Sequence, residues 1–510
     1  MRARSFIALV ALVAACGDNG DKPDAGKDAA GDVTDPETGV EAGPTNLMLV
    51  GTIVTPDTVI DGEVLVIGQT IACADVASVC DAMPEAANAV YVQTNGVIAP
   101  GLIDTHNHVL FDIFDGDDWL PSKLYTNHNQ WPNEVKYAAM LDVKQCLAND
   151  SQGKPAWCAN TPYGNSTGSL RCEIDKWGEL KGLIAGTTSE VGLPGTSAAC
   201  FGSLTRSIDV VQNGLSSDRI RTSATFPPSK ATADSDCDAF AQGTADAFLI
   251  HCGEGTDATS LNEFATLGSV STIPGCLYAP QTTITHGVAF TATEFATMAS
   301  KGMKLTWSPA SNVALYGTTA NIPAALDAGV TIALAPDWSM GGSQNILDEM
   351  RFANQWDDAN WGNRISTTDL VKMTTTNAAS VLGLSNTLGR IKAGMVADLV
   401  VVSGDKSKPY DAIVAATPST VRLVVIGGEV LYGDTDVGQT LNVPASCDTF
   451  DACGTSKFLC VARPGATTDK LDQTYTQIHD ALEQGLEVAD QQTTSDGFNF
   501  APLAPLVKCP

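Results

Sequence analysis

Hydrophobic and polar positions divide the chain into four textures. Met1 to Cys16 begins with two arginines, runs through the apolar FIALVALVAA and stops at a cysteine. Gly17 to Thr45 holds eight acids against two lysines and no aromatic residue. Such a segment cannot bury enough apolar surface to offset its ordering entropy, so it is expected to be a disordered acidic linker. From Asn46 short β-rich runs take over, LMLVGTIV, GEVLVIG and AVYVQTNGVIAP, separated by Asp, Gly and Pro turn signals. A matching set, ADLVVVSGD and VRLVVIGGEVLYG, lies far downstream.

Between these two sets the pattern alternates. Short apolar runs that end in a polar residue (GLIDTHNH, AFLIH, TTITH, TIALAPD) are followed by stretches with helical spacing, among them TATEFATMASKG, LDEMRFANQW and TTTNAASVLGL. KGLIAGTTSEVG reads as a second strand unit and DRIRTSATF as the third. Leu110 to Lys181 is a long insertion holding Trp119, His128, Trp131, Trp157, Trp177 and three cysteines. Past Gly433 comes a segment with four cysteines and one long helical stretch, DKLDQTYTQIHDALEQGLEVADQQ.

Composition narrows the classes. The formal net charge of -29, from 29 basic and 58 acidic residues, repels phosphate backbones and argues against a nucleic-acid partner. Fourteen cysteines suit an exported protein. Setting Cys16 aside leaves an odd number, so at least one thiol is expected to be free, with Cys252 the candidate. The FIALVALVAA run is too short to span a bilayer and reads as an export leader.

The chemistry centres on His106 and His108, one residue apart. On extended chain that spacing sends both imidazoles to one side, half of a ligand set for a divalent transition metal. A pair of surface histidines at a strand end is the plain alternative. Only six histidines occur in 510 residues, and His251 and His286 also close apolar runs, as the acid Asp337 does. Glu254 lies three residues beyond His251, where a carboxylate in a cleft could move protons. His128 and His479 read as surface residues, and Asn312 as a helix cap.

These residues, with PGLIDTHNH, the H-x-x-E of His251 to Glu254, the SPASN of Ser308 to Asn312 and LGRIKAGMVADLVVV, resemble the amidohydrolase superfamily. The similarity runs from about Asn46 to Gly433 and is closest to the cytosine deaminase and triazine chlorohydrolase branch. It implies an α/β fold: a (β/α)8 TIM-like barrel flanked by a β-sandwich that is discontinuous in sequence. The domains implied are a lipoprotein signal peptide over 1–16, the linker over 17–45 and sandwich halves over 46–100 and 386–435. The barrel takes 101–385, and a Cys-containing extension of unassigned purpose takes 436–510.

The resemblance further implies one divalent metal, Zn2+ with Fe2+ as the alternative, held by His106, His108, His251 and Asp337. Glu254 and Asp337 would shuttle protons, while His286 stays at the edge of the ligand set and polarises the group under attack. No lysine stands where dinuclear relatives form a bridging carbamate, which favours a single metal. APDW occupies the place where relatives usually carry Gly-Thr-Asp-Ser, so the neighbours of Asp337 differ. The implied reaction is hydrolysis of a C–N bond in a small molecule, by deamination or amide opening. Lactone, dipeptide or chloride hydrolysis on the same site, or a non-enzymatic binding role at the surface, are the alternatives. VAAC resembles a lipobox, implying a protein lipid-anchored at Cys16; Gly17 after the cysteine favours the outer membrane.

Overall fold

The computed structural model describes residues 46–55, 58–150, 153–192, 204–209, 219–223, 226–462, 472–493 and 497–509. The expected leader and acidic linker lie outside these residues.

Among them the strands are β1 (Leu47–Val54), β2 (Val59–Ile67), β3 (Thr70–Asp75), β4 (Val90–Pro100), β5 (Leu102–Asp104), β6 (Thr187–Glu190), β7 (Arg206–Ser207), β8 (Ile220–Ser223), β9 (Ala247–Cys252), β10 (Thr282–His286), β11 (Lys304–Trp307), β12 (Thr331–Leu334), β13 (Leu399–Val402), β14 (Val421–Ile426), β15 (Glu429–Asp434), β16 (Asp448–Ala452) and β17 (Thr455–Leu459).

Two bodies of sheet result. The distant β-rich sets meet in one nine-stranded sheet, ordered β16-β17-β15-β14-β13-β4-β1-β2-β3. The join is antiparallel, Leu399 opposite Pro100 through Val402 opposite Val97. Alternate residues from both sets, including Leu49, Val64, Ile98, Leu399, Val401 and Val425, bury into a common apolar cluster. Gly96 sits at this join because a Cβ there would come 2.5 Å from the Val402 carbonyl oxygen. The chain beyond Gly433 extends the same sheet, β17 pairing with β15. The C-terminal helix Tyr475–Thr493 packs on helices Arg171–Leu183 and Val135–Leu147.

The second body holds eight strands, β5 to β12, and every pairing within it is parallel. They form a three-stranded run, β5-β6-β7, and a five-stranded run, β12-β11-β10-β9-β8. First and last strands meet just past their ends in a parallel bridge between Asn107 and Asp337. There the Asp337 amide donates to the His106 carbonyl at 3.1 Å and the His108 amide to the Asp337 carbonyl at 2.7 Å. Helices follow the strands, as in Lys230–Gln242, Ala258–Leu267 and Ala292–Lys301, the last opened by a capping box of Thr291 and Glu294. The strand count corrects one expectation. DRIRTSATF supplies the fourth barrel strand, because the third is only Arg206–Ser207, too short to leave a periodic signal.

Candidate metal centre

Parallel barrels place loop side chains at the C-terminal ends of their strands. Here His106 and His108 lie just past β5, His251 is the second-last residue of β9, His286 ends β10 and Asp337 lies just past β12. Four imidazoles therefore meet although they span more than half the barrel's sequence. The ring centroid of His106 lies 5.0 Å from His108, 4.6 Å from His251 and 5.3 Å from His286. Asp337 Oδ1 sits 2.9 Å from His106 Nε2 and 3.5 Å from His108 Nε2.

Donor atoms converge closely enough for an ion in two overlapping groups, His106 with His108 and Asp337, and His106 with His251 and His286, each within 4.8 Å. Neutral imidazole nitrogens with one carboxylate are the donor set of a borderline divalent metal, so the residues fit Zn2+ chemically. Burial keeps the imidazoles neutral and ready to ligate: it holds His106 and His251 down at about 3, and pulls His108 and His286 well below the usual histidine range. Burial also raises Asp337, with the nearby His108 acting in the opposite sense. His251 Nδ1 lies 3.2 Å from the Ser223 carbonyl, which directs its Nε2 lone pair inward.

The local backbone is unusual at two of these positions. His286 has φ 76° and Asp337 φ 72°, in the left-handed region that non-glycine residues seldom adopt. Conformations of this kind persist where the surrounding structure imposes them, and they cluster at functional sites.

Glu254 reaches the cluster from the loop after β9, its Oε2 3.9 Å from His286 Nε2. Burial pushes it up to about 7, a value at which a carboxyl both takes and gives a proton near neutrality. Tyr316 donates to its other oxygen at 2.7 Å, and Trp131 Nε1 donates to the Tyr316 hydroxyl at 3.1 Å.

Above the cluster stands an aromatic wall. Trp338 lies 5.7 Å from His108, 6.0 Å from Phe111 and from Trp119, and 5.2 Å from Trp131, centroid to centroid. The Trp338 Nε1 donor is buried without a hydrogen-bond partner among the described residues. Of the insertion's tryptophans, Trp119 and Trp131 join this wall, while Trp177 stacks on Tyr475 of the C-terminal helix at 6.0 Å. His128 is not a free surface residue: its Nε2 pairs with Glu263 Oε1 at 2.7 Å. Its backbone amide donates to the Glu254 carbonyl.

Asn312 also departs from expectation. It lies inside helix Pro309–Tyr316, whose first turn has no side-chain cap, and its amide nitrogen is 3.0 Å from His286 Nδ1. Asn312 and Tyr316 are four residues apart on one helix face, so the helix after β11 delivers partners to both His286 and Glu254. That spacing was the available signal for Tyr316. Cys252, next to His251, is a buried free thiol as expected. Lys230 is exposed at the start of its helix, and the fourth strand ends in Ser223, not in a lysine.

An eight-stranded parallel array with imidazoles and a carboxylate at its C-terminal ends defines a barrel metal site. The amidohydrolase family profile matches residues 241–431. A 5-methylthioadenosine/S-adenosylhomocysteine deaminase of Natronomonas pharaonis is 27% identical over 376 residues, 68% of this chain and 84% of that protein. A 5'-deoxyadenosine deaminase of Methanothermobacter thermautotrophicus is 25% identical over 69% of this chain and 85% of its own length. Among solved structures, a zinc-bound adenosine deaminase of Xanthomonas campestris aligns with TM-score 0.54 and 17% identity, covering 76% of this chain and 93% of that one. A zinc complex of an atrazine chlorohydrolase variant from Arthrobacter aurescens aligns with TM-score 0.57 and 16% identity, covering 76% and 95%. The chain is similar to the amidohydrolase family over residues 241–431, and deaminases and triazine hydrolases are its neighbours.

Proposed function

We propose that the protein is a metal-dependent hydrolase that opens a C–N bond of a small nitrogen compound, by deamination or amide hydrolysis. One observation carries this reading: two overlapping donor groups, His106 with His108 and Asp337 and His106 with His251 and His286, meet at the barrel mouth beside Glu254, a buried carboxyl poised near neutrality. The deaminase relatives support it.

In this reading His106, His108, His251 and Asp337 hold one divalent ion, Zn2+ or Fe2+. A bound divalent ion supplies Lewis acidity, lowering the pKa of water to about 7. Glu254 Oε2 takes a proton from the attacking water and returns it to the leaving nitrogen, and Tyr316 fixes the rotamer that lets it do so. His286 Nε2 supports the charge that develops on the group under attack. The wall of Trp338, Trp119 and Trp131 covers the cluster and excludes bulk water, which strengthens each of these interactions. It also offers flat apolar faces suited to a planar substrate.

The chlorohydrolase neighbour keeps a second specificity in view, displacement of chloride from a heteroaromatic ring on the same residues. Turnover of a panel of amino-purines, nucleosides, triazines, cyclic amides and lactones, by protein of assayed metal content, decides between them. Ammonia release from an amino-heterocycle supports the first reading. Chloride release without ammonia replaces it with the second, and no turnover of any member removes both.

Export and lipid anchoring at Cys16 form a separate proposal, supported by the VAAC leader and by five disulfides among the described residues, such as Cys73–Cys80 and Cys146–Cys158. Cys16→Ser should move the protein from the membrane to the soluble fraction; a wild type already soluble and unlipidated refutes anchoring.

A further inference from the structure

His286 can be drawn geometrically into either of two roles, because its ring belongs to one of the two convergent donor groups. A neutral imidazole ligates only through a nitrogen without a proton, so the role depends on the tautomer, and the tautomer depends on what the other nitrogen meets. We propose that a buried chain of Trp307, Thr319 and Asn312 locks His286 with its proton on Nε2. His286 is thereby a hydrogen-bond donor toward the reacting position and stays out of the ligand set.

The argument starts from a group with no choice. Trp307 Nε1 is a donor only, and it donates to Thr319 Oγ1 at 2.7 Å. Thr319 must then send its own hydroxyl hydrogen elsewhere, and Asn312 Oδ1 accepts it at 3.3 Å. That contact fixes the Asn312 amide with its oxygen toward Thr319 and its NH2 toward His286 Nδ1, 3.0 Å away. An NH2 group only donates, so Nδ1 accepts and the ring proton resides on Nε2. Turning the amide over would face Oδ1 to His286 and strand the Thr319 hydrogen in a buried setting. Trp307, Thr319, Asn312 and His286 are all buried, so solvent does not readily supply substitute partners. On the far side of the ring Nε2 faces Glu254 Oε2 at 3.9 Å, too far for a direct hydrogen bond.

The inference deepens the hydrolase reading, on which its catalytic meaning rests, but its test needs no turnover. Long-range 15N–1H spectra of the metal-free, 15N-histidine-labelled protein report which nitrogen of each ring is protonated; His286 is assigned by its disappearance in His286→Gln. Wild type is expected to show Nε2–H. Adding Zn2+ should shift the ligating nitrogens of His106, His108 and His251 and leave the His286 Nε2 proton in place. Asn312→Asp presents only acceptors, so it should move the proton to Nδ1. Thr319→Val, which frees the amide to turn, should give a mixture. A wild-type proton on Nδ1, or loss of the Nε2 proton on adding Zn2+, overturns the proposal without requiring either variant to fold. A panel without turnover would refute the hydrolase reading and leave these spectra to stand alone.

Discussion

The nine-stranded sheet and the barrel mouth follow opposite rules. In the sheet, the two halves share one apolar cluster built mainly of Leu, Val and Ile. At the mouth, histidines and carboxylates are buried, two non-glycine residues hold positive φ, and an indole donor goes unpaired among the described residues. Consistency across levels specifies a structure, and departures from it concentrate where chemistry is done. The comparison therefore predicts that substitutions at the mouth cost activity while substitutions in the sheet cost stability.

The sharpest test is His106→Ala. It removes the imidazole shared by both donor groups, and elemental analysis should show metal falling from one equivalent per chain to none, with turnover at background. Next is Glu254→Gln. It should retain metal and lose on the order of 100- to 10000-fold in kcat, the range of a lost general acid-base group. In the wild type, kcat/KM should fall on the acid side as Glu254 gains its proton, through a limb at or below about 7 because a bound cation favours the carboxylate. That limb should be absent in the variant. Metal loss in Glu254→Gln would make Glu254 a ligand.

Leu399→Ala probes the other region. Leu399 is fully buried where the two halves of the sheet join, so chemical denaturation should register a loss of about 2–5 kcal/mol. Specific activity of the folded fraction should stay within about twofold; a large fall would show that the two regions are not separable. The smallest effect belongs to Tyr316→Phe. Loss of the hydroxyl that stabilises the Glu254 carboxylate should move the acid limb upward in pH, with kcat reduced by about tenfold or less. An unmoved limb would separate Tyr316 from proton transfer.

What could be read from the sequence divides along the same line. His106, His108, His251, His286 and Asp337 stood out because each closes an apolar run and histidine is rare in this chain. The free thiol of Cys252 followed from an odd count and from strand alternation. Asn312 and Tyr316 were not legible as partners of His286 and Glu254, since those contacts join segments that sequence proximity does not connect. A local rule for Asn before a helix pointed instead to capping. The strand Arg206–Ser207 was missed because two residues carry no period. The extension past Gly433 gave no sign that it would continue an existing sheet, because pairing partners are set by topology and not by composition.

The join between Pro100 and Leu399 also sets an order of events during synthesis. Once β1 to β4 have left the ribosome, β4 presents a bare edge of amides and carbonyls, and the strand that covers it follows all eight barrel strands. An uncovered edge is a template for pairing with another chain. Until Leu399–Val402 arrives, the nascent protein carries an adhesive border, and chains cut short within the barrel should aggregate through it.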